Sequence, residues 1–312
     1  MLSENLHLIL LSAPLFLLVF LGFAVARLRK WPPSASTFMA EFVFYVPLPA
    51  LLFSTMSRFS SLPPVDLRLL VAFFGSCLIV FVIGRVIGWK LFGLDGVSQS
   101  VFGVGCIFSN NVFLGIPLAQ AALGEASLPA VSLVVAFNAL LLWTLVTLSV
   151  EWSLNGSLSA KGFAKMARGV LANPIVIAIA AGLAFDASGL AMPEVFAAPI
   201  RMLAQSASPM ALVVLGMGLA RFGLTSGWRE GAVVTFLKLA VQPLVVWGLA
   251  RLLGLPPIET QAVVMLASIS VGFNVFLMAN QFGKMQSATA SSIVLSTLFA
   301  AVTTPLAIAL SH

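Results

Sequence analysis

Stretches of about twenty residues with few or no charges follow one another along the whole of this chain, and that is the length an α-helix needs to cross the hydrocarbon core of a bilayer. Ten such segments can be read: Leu6–Ala26, Thr37–Ser57, Leu67–Trp89, Gln99–Leu123, Leu128–Val150, Val170–Phe185, Pro199–Ala220, Gly231–Leu253, Thr260–Phe282 and Ala288–Leu310. The 312 residues are 60% hydrophobic and only 8% charged, with a mean hydropathy of +1.10. A soluble domain carries about 25% charged residues, so this chain lacks the polar surface to cover a globule in water. The expected solvent is lipid and the expected fold class is an all-α polytopic membrane protein. The net charge of +6 sits in short loops between spans, which reads as membrane topology and not as nucleic-acid binding.

The basic residues also orient the chain. With the first loop in the cytoplasm, Arg27, Arg29, Lys30, Lys90, Lys161, Lys165, Arg168, Arg221, Arg229 and Lys284 fall inside, and Arg58, Arg68, Arg201 and Arg251 outside. Positive residues prefer the cytoplasmic side, so both termini are expected outside. In a bacterium that is the periplasmic face of the inner membrane. Trp31, Trp89, Trp152 and Trp228 fall near the same cytoplasmic junctions, where indoles favour the interface. Glu4 precedes the first apolar run and Arg27, Arg29 and Lys30 follow it. This is the reverse of a signal peptide's order and reads as a retained first span.

The string Asn-Val-Phe-Leu occurs at Asn111–Leu114 and again at Asn274–Leu277, 163 residues later. The polar link Glu151–Gly169 divides the spans into two groups of five, residues 1–150 and 170–312. Five is odd, so two copies of one unit must insert with opposite orientation. Polar-interrupted segments at matching places in two such halves mark the binding site of secondary transporters. Span four reads SNNVFLGIPLAQ from Ser109 to Gln120. A proline within a helix removes one backbone hydrogen bond and blocks another, so Pro117 is expected to free carbonyls near Phe113 and Leu114, with Gly115 adding flexibility. The half-helix beyond the break would present N–H groups to an anion. Asparagines that glue neighbouring helices are the plainer reading. Span nine carries Asn274, Asn280 and Gln281 but no proline, so its break is expected to be milder or to use Gly272.

Charges within spans are few. Lys238 in span eight is expected to be either a countercharge or proton-linked group, or a lysine that snorkels to the interface. Arg85, nearer a helix end, is expected to snorkel; Glu41, near the start of span two, is expected either to pair with a cation or carry a proton or, the plainer reading, to lie at the interface. Gly84 and Gly88 fit a small-residue helix contact. Cys77 and Cys106 fall in apolar segments and the two histidines, His7 and His312, at the chain ends. A disulfide, a zinc site or a histidine-based centre is not expected from that pattern. No nucleotide, hydrolase or zinc-protease motif occurs in the sequence, so no cofactor and no enzyme activity are read.

Four strings carry a resemblance: FVFYVPLPALLF (Phe42–Phe53), NNVFLGIPLAQ (Asn110–Gln120), LANPIVIAIAAGL (Leu171–Leu183) and SPMALVVLGMGLA (Ser208–Ala220). With them the chain resembles the auxin efflux carrier family, which includes plant PIN-type carriers and bacterial malonate-transporter-like proteins. The short link Glu151–Gly169 looks like the bacterial form. The resemblance implies ten spans in two inverted repeats, of the bile-acid-symporter and sodium/proton-antiporter type. Spans one, two, six and seven would form a scaffold and a homodimer surface. The others would form a moving transport domain in which broken helices four and nine cross. Substrate contacts map by motif to Asn111, Pro117 and Asn274, with Asn110, Gly115, Gln120, Asn280 and Gln281 as neighbours. Where plant carriers have a proline at the second crossing, this chain has Ala279 and Asn280. The expected activity is transport of a small organic anion by alternating access. The rivals are a cation/proton antiporter of the same fold and a membrane sensor that carries no flux.

Overall fold

A computed structural model describes residues 2–61, 65–155, 172–220 and 227–311. Lys161, Lys165, Arg168, Arg221 and His312, and with them most of the Glu151–Gly169 link and the start of span six, lie outside the described residues. Helices account for nearly all the regular structure: α1 Leu2–Leu28, α2 Pro33–Tyr45, α3 Pro47–Met56, α4 Arg68–Phe92, α5 Gly96–Gly105, α6 Ile116–Ala122 and α7 Leu128–Asn155. In the second half come α8 Pro174–Ala187, α9 Glu194–Leu219, α10 Trp228–Phe236, α11 Gln242–Leu252, α12 Pro257–Ser268, α13 Asn274–Phe282 and α14 Gln286–Leu310.

Among the described residues, six stretches are long and apolar enough to cross a membrane: Ser34–Met56, Arg68–Phe92, Glu125–Leu154, Glu194–Leu219, Trp228–Leu252 and Gln286–Leu310. Spans four and nine are absent from that set because each is two short pieces, α5 with α6 and α12 with α13. Large apolar side chains such as Phe20, Leu78, Val195 and Leu298 are exposed on helix faces, whereas Ser76, Ser100, Ser268, Ser291 and Thr304 are fully buried. A water-soluble bundle would reverse that placement. The fold is that of a multi-pass membrane protein.

Local signals explain most boundaries. Asp95 caps α5, its carboxylate accepting the Ser98 N–H at 2.9 Å, and Asn173 caps α8 through the Ile175 N–H at 2.9 Å. Pro174 follows in the first turn, where a missing N–H costs nothing. The left-handed Gly93 (φ 62°) closes α4 and Gly283 (φ 65°) closes α13. At those positions a Cβ would be strained. Span two breaks at Val46 (φ −123°, ψ −75°), directly before Pro47. The residue ahead of a proline is pushed out of the helical region.

The helices pack in two groups. In one, α1, α2, α3, α8 and α9 lie against each other; in the other, α4, α5, α7, α10, α11, α12 and α14 do. The groups meet where α1 touches α14 and where α3 and α8 touch α7, and α6 lies against α1, α9 and α7. The α1–α9 crossing is the closest. A Cβ on Gly22 would lie 1.9 Å from the Val213 carbonyl oxygen, and one on Gly216 would lie 1.8 Å from that of Val19. Gly84, as expected, allows another close approach, since its Cβ would meet Gly103 Cα at 3.1 Å.

Backbone cannot rotate away as a side chain can, so bulk at the α1–α9 crossing must part the helices, at a cost above the usual ~1–3 kcal/mol of overpacking. Gly216→Val is expected to lower the melting temperature in detergent by several degrees and to broaden the size-exclusion peak. Gly218→Val, whose Cβ would meet nothing within 4 Å, is expected to leave both unchanged.

Candidate functional site: the crossing of spans four and nine

Span four leaves its first helix at Gly105 and resumes as a π turn at Asn111–Gly115. Span nine leaves α12 at Ser268, with Ile269 fully extended (φ −79°, ψ 167°), and resumes at Asn274. The two breaks run antiparallel and pair as Ser109 with Val271. The Gly272 N–H donates to the Phe108 carbonyl at 2.8 Å, and the Asn110 N–H donates to the Ser270 carbonyl at 2.9 Å. Unwound backbone at membrane depth survives only where its polar groups are satisfied in protein or line a wet cavity, and here each break partly satisfies the other. Gly272 permits the approach, because a Cβ there would sit 3.0 Å from the Ser109 carbonyl oxygen. Gly115 has the same kind of role, its Cβ falling 2.8 Å from Leu266 Cδ2.

This corrects the expected location of the first break. It lies at Ile107–Asn110, ahead of Pro117, and Pro117 rides in the first turn of α6. The π turn ends one residue before the proline, where the Ile116 N–H reaches back to the Asn111 carbonyl. Span eight repeats the device. A π turn at Leu237–Val241 ends with the Gln242 N–H on the Leu237 carbonyl, just before Pro243. Nor is the second break milder for want of a proline: span nine is unwound over a comparable length.

Surrounding helices take up the carbonyls left at the two inbound helix ends. Lys238 Nζ donates to the Ala267 carbonyl, and Thr304 Oγ1 to that of Ser268 at 2.8 Å. Gln242 Nε2 donates to the Ile107 carbonyl at 3.2 Å. The Val271 N–H finds Ser296 Oγ at 2.9 Å. What is left over is informative. Asn111 is 2% exposed, yet neither its Nδ2 nor its Oδ1 has a partner among the described residues. Ser109 Oγ and Ser270 Oγ at the paired breaks, and Ser132 Oγ and Asn138 Oδ1 on α7, are buried and unpartnered too. A buried polar group left unsatisfied costs about 1–3 kcal/mol, so such a cluster needs a reason.

The expected site residues do not all converge. Asn110, Asn111, Gly115 and Pro117 are buried at the first break and Asn274 is half-buried at the second. Gln120 is half-buried farther along, accepting from Ser208 Oγ of α9 at 2.8 Å. Asn280 and Gln281 are exposed at the far end of α13, about 9 Å or more from Asn274 at 1.5 Å per residue. Lys238 is fully buried, which excludes the snorkelling lysine. Glu41 is exposed on α2. Arg85 is half-buried and donates to Ser149 Oγ and, at 3.5 Å, to Gln99 Oε1. Asn138 and Ser296 were not among the expected residues. Asn138 carries the signal that marks Asn111, a lone amide in an apolar span.

The family model described as "Membrane transport protein" matches residues 7–308. The chain belongs to the auxin efflux carrier family. It is also 29% identical over 297 residues to the "Putative malonate transporter" of Rhizobium meliloti (strain 1021), covering 94% of this chain and 92% of that protein. In this family member the ends of α5 and α13 away from the crossing are tied by an ion pair. Asp95, the cap of α5, meets Lys284, two residues beyond α13, at 2.8 Å. Lys284 and the Ser98 N–H hold the Asp95 carboxyl below the usual carboxylate range.

The folded-state pKa of Asp95 is therefore depressed, so its contribution to stability is present above the unfolded pKa and is lost as pH falls through the folded one. Both partners are about half exposed, which limits the pair to less than about 1 kcal/mol. Lys284→Ala is expected to lower the melting temperature by a degree or two at pH 7 and to have a smaller effect near pH 3. Thermal melts across that range, at low and high salt, check both the sign and the screening.

Proposed function

We propose that the protein is a secondary carrier of a small organic anion, a mono- or dicarboxylate, which it binds at the crossing of spans four and nine and moves by alternating access. The observation that carries the reading is Asn111, a buried amide whose donor and acceptor are both unused at the point where two broken helices meet. An asparagine amide can donate to a carboxylate and accept from a proton donor. The starts of the outgoing halves, at Asn111 and Asn274, add the positive ends of two short dipoles. The name of the Rhizobium relative supports a dicarboxylate such as malonate.

In this reading the chain has ten spans in two inverted five-span repeats, residues 1–150 and 170–312, joined by the 151–169 link. Spans one, two, six and seven are the scaffold and pair two copies. Spans three to five and eight to ten move as the transport domain. The protein lies in a bacterial inner membrane with both termini periplasmic. Asn110, Asn111, Gly115, Pro117 and Asn274 shape the site, Gln120 sits on its scaffold side, and Asn280 and Gln281 lie toward the cytoplasmic mouth. A cation antiporter would place carboxylates at the crossing. The buried charge that reaches it here is Lys238, which supports an anion.

Malonate titrated into purified protein, and malonate counterflow in proteoliposomes, test the reading. Asn111→Leu, close to isosteric, is expected to weaken binding about 10- to 100-fold, as for lost hydrogen bonds to a charged ligand. It should not lower the melting temperature of the ligand-free protein, because it removes an unpaired buried amide. Asn274→Ala should weaken binding in the same direction. Binding without counterflow would favour the sensor, and undiminished binding in both variants would overturn the site.

A further inference from the structure

Lys238 lies in the π turn of span eight and is fully buried. Its ammonium bonds the carbonyl of Ala267, one residue before the end of α12. That carbonyl is among the last four of its helix, which have no intrahelical partner and carry the negative end of the dipole. Four residues further on, Gln242 is fully buried as well, and its Nε2 bonds the Ile107 carbonyl just past the end of α5. One short stretch of span eight therefore caps the C-terminal ends of both inbound half-helices, with a cation on one and a neutral amide on the other.

The charge at the crossing is then unbalanced. Two helix C-termini and two N-termini meet there, each worth about half a unit of opposite sign, so the dipoles alone cancel. A protonated Lys238 adds a whole positive charge, and the side chain forms no ion pair among the described residues. The other buried charged side chain among them is Glu259, toward the opposite end of α12, about 12 Å from Ala267 along the helix axis at 1.5 Å per residue. A buried charge left uncompensated is costly.

We propose that Lys238 is a resident cation that fixes the sign of the cargo. It neutralises the inbound helix ends from behind and leaves the outgoing positive ends at Asn111 and Asn274 for an anion that it does not itself touch. Gln242 supplies the uncharged counterpart. The proposal rests on the organic-anion reading above and adds the specificity-determining residue to it.

The test moves the charge without removing it. Lys238→Met leaves the crossing neutral, whereas the double variant Lys238→Gln/Gln242→Lys keeps both caps and exchanges their chemistry. With malonate as the titrated probe, Lys238→Met is expected to bind at least tenfold more weakly than the parent and to remain monodisperse. The exchanged variant is expected to return to within about threefold of the parent. Affinity in Lys238→Met within threefold of the parent would overturn the proposal. So would an exchanged variant as weak as Lys238→Met, which would make Lys238 a direct ligand. If Lys238→Met fails to fold, the exchanged variant decides by the same threefold limit. If the parent protein itself does not bind malonate, it is the cargo assignment that fails. Hydrogen exchange over residues 262–272 then decides on the cap: faster by tenfold or more in Lys238→Met and restored in the exchanged variant supports it, and unchanged exchange overturns it.

Discussion

Two backbone hydrogen bonds, one on each side of the Ser109–Val271 pair, are what allow this helical protein to leave both of its central helices unfinished. Outside a membrane, water would satisfy such breaks and they would need no company. At membrane depth, each requires a partner with the complementary pattern of donors and acceptors. A second unwound segment running the opposite way supplies that pattern. Much of the surrounding chemistry follows from the pairing. Gly272 is needed for the approach, Ser296 and Thr304 for groups the pairing leaves over, and Lys238 and Gln242 for the carbonyls behind it.

The same requirement separates structural polar groups from those that await a ligand. The carbonyls of Ile107, Ala267 and Ser268 all have side-chain donors. The amide of Asn111 and the hydroxyls of Ser109 and Ser270 have no partner among the described residues. A fold that satisfies one side of a junction and leaves the other side open has set aside its interaction capacity there, and the open side is the one with outgoing helix N-termini.

Much of this was legible from residue order. Apolar segment length gave the solvent, and the two copies of Asn-Val-Phe-Leu pointed to both breaks, because an amide in a lipid-spanning segment is expensive enough to be conspicuous. The mechanism of breaking was misread. Pro117 is a loud local signal, but a proline is tolerated in a first helical turn, and the unwinding lies ahead of it where Ser, Asn and small residues allow pairing. Span nine shows that no proline is required. Asn280 and Gln281 share the amide chemistry of Asn274 but stand two turns further along α13, a distance that sequence adjacency conceals. Lys238 could not be resolved between snorkelling and burial, because a lysine's reach is decided by whether a carbonyl waits nearby, here one 29 residues further along the chain.

The π turns at Asn111–Gly115 and Leu237–Val241 each wind one residue more than an α-helix would use. Winding the same residues as regular α-helix would swing everything downstream by about 100°, the angle one residue subtends. In span eight that would turn Gln242 off Ile107, and in span four it would turn α6 away from its neighbours. Each extra residue thus acts as an indexing tooth, setting which compass bearing the outgoing segment faces. How these two stretches wind therefore aims the crossing as much as the side chains they carry.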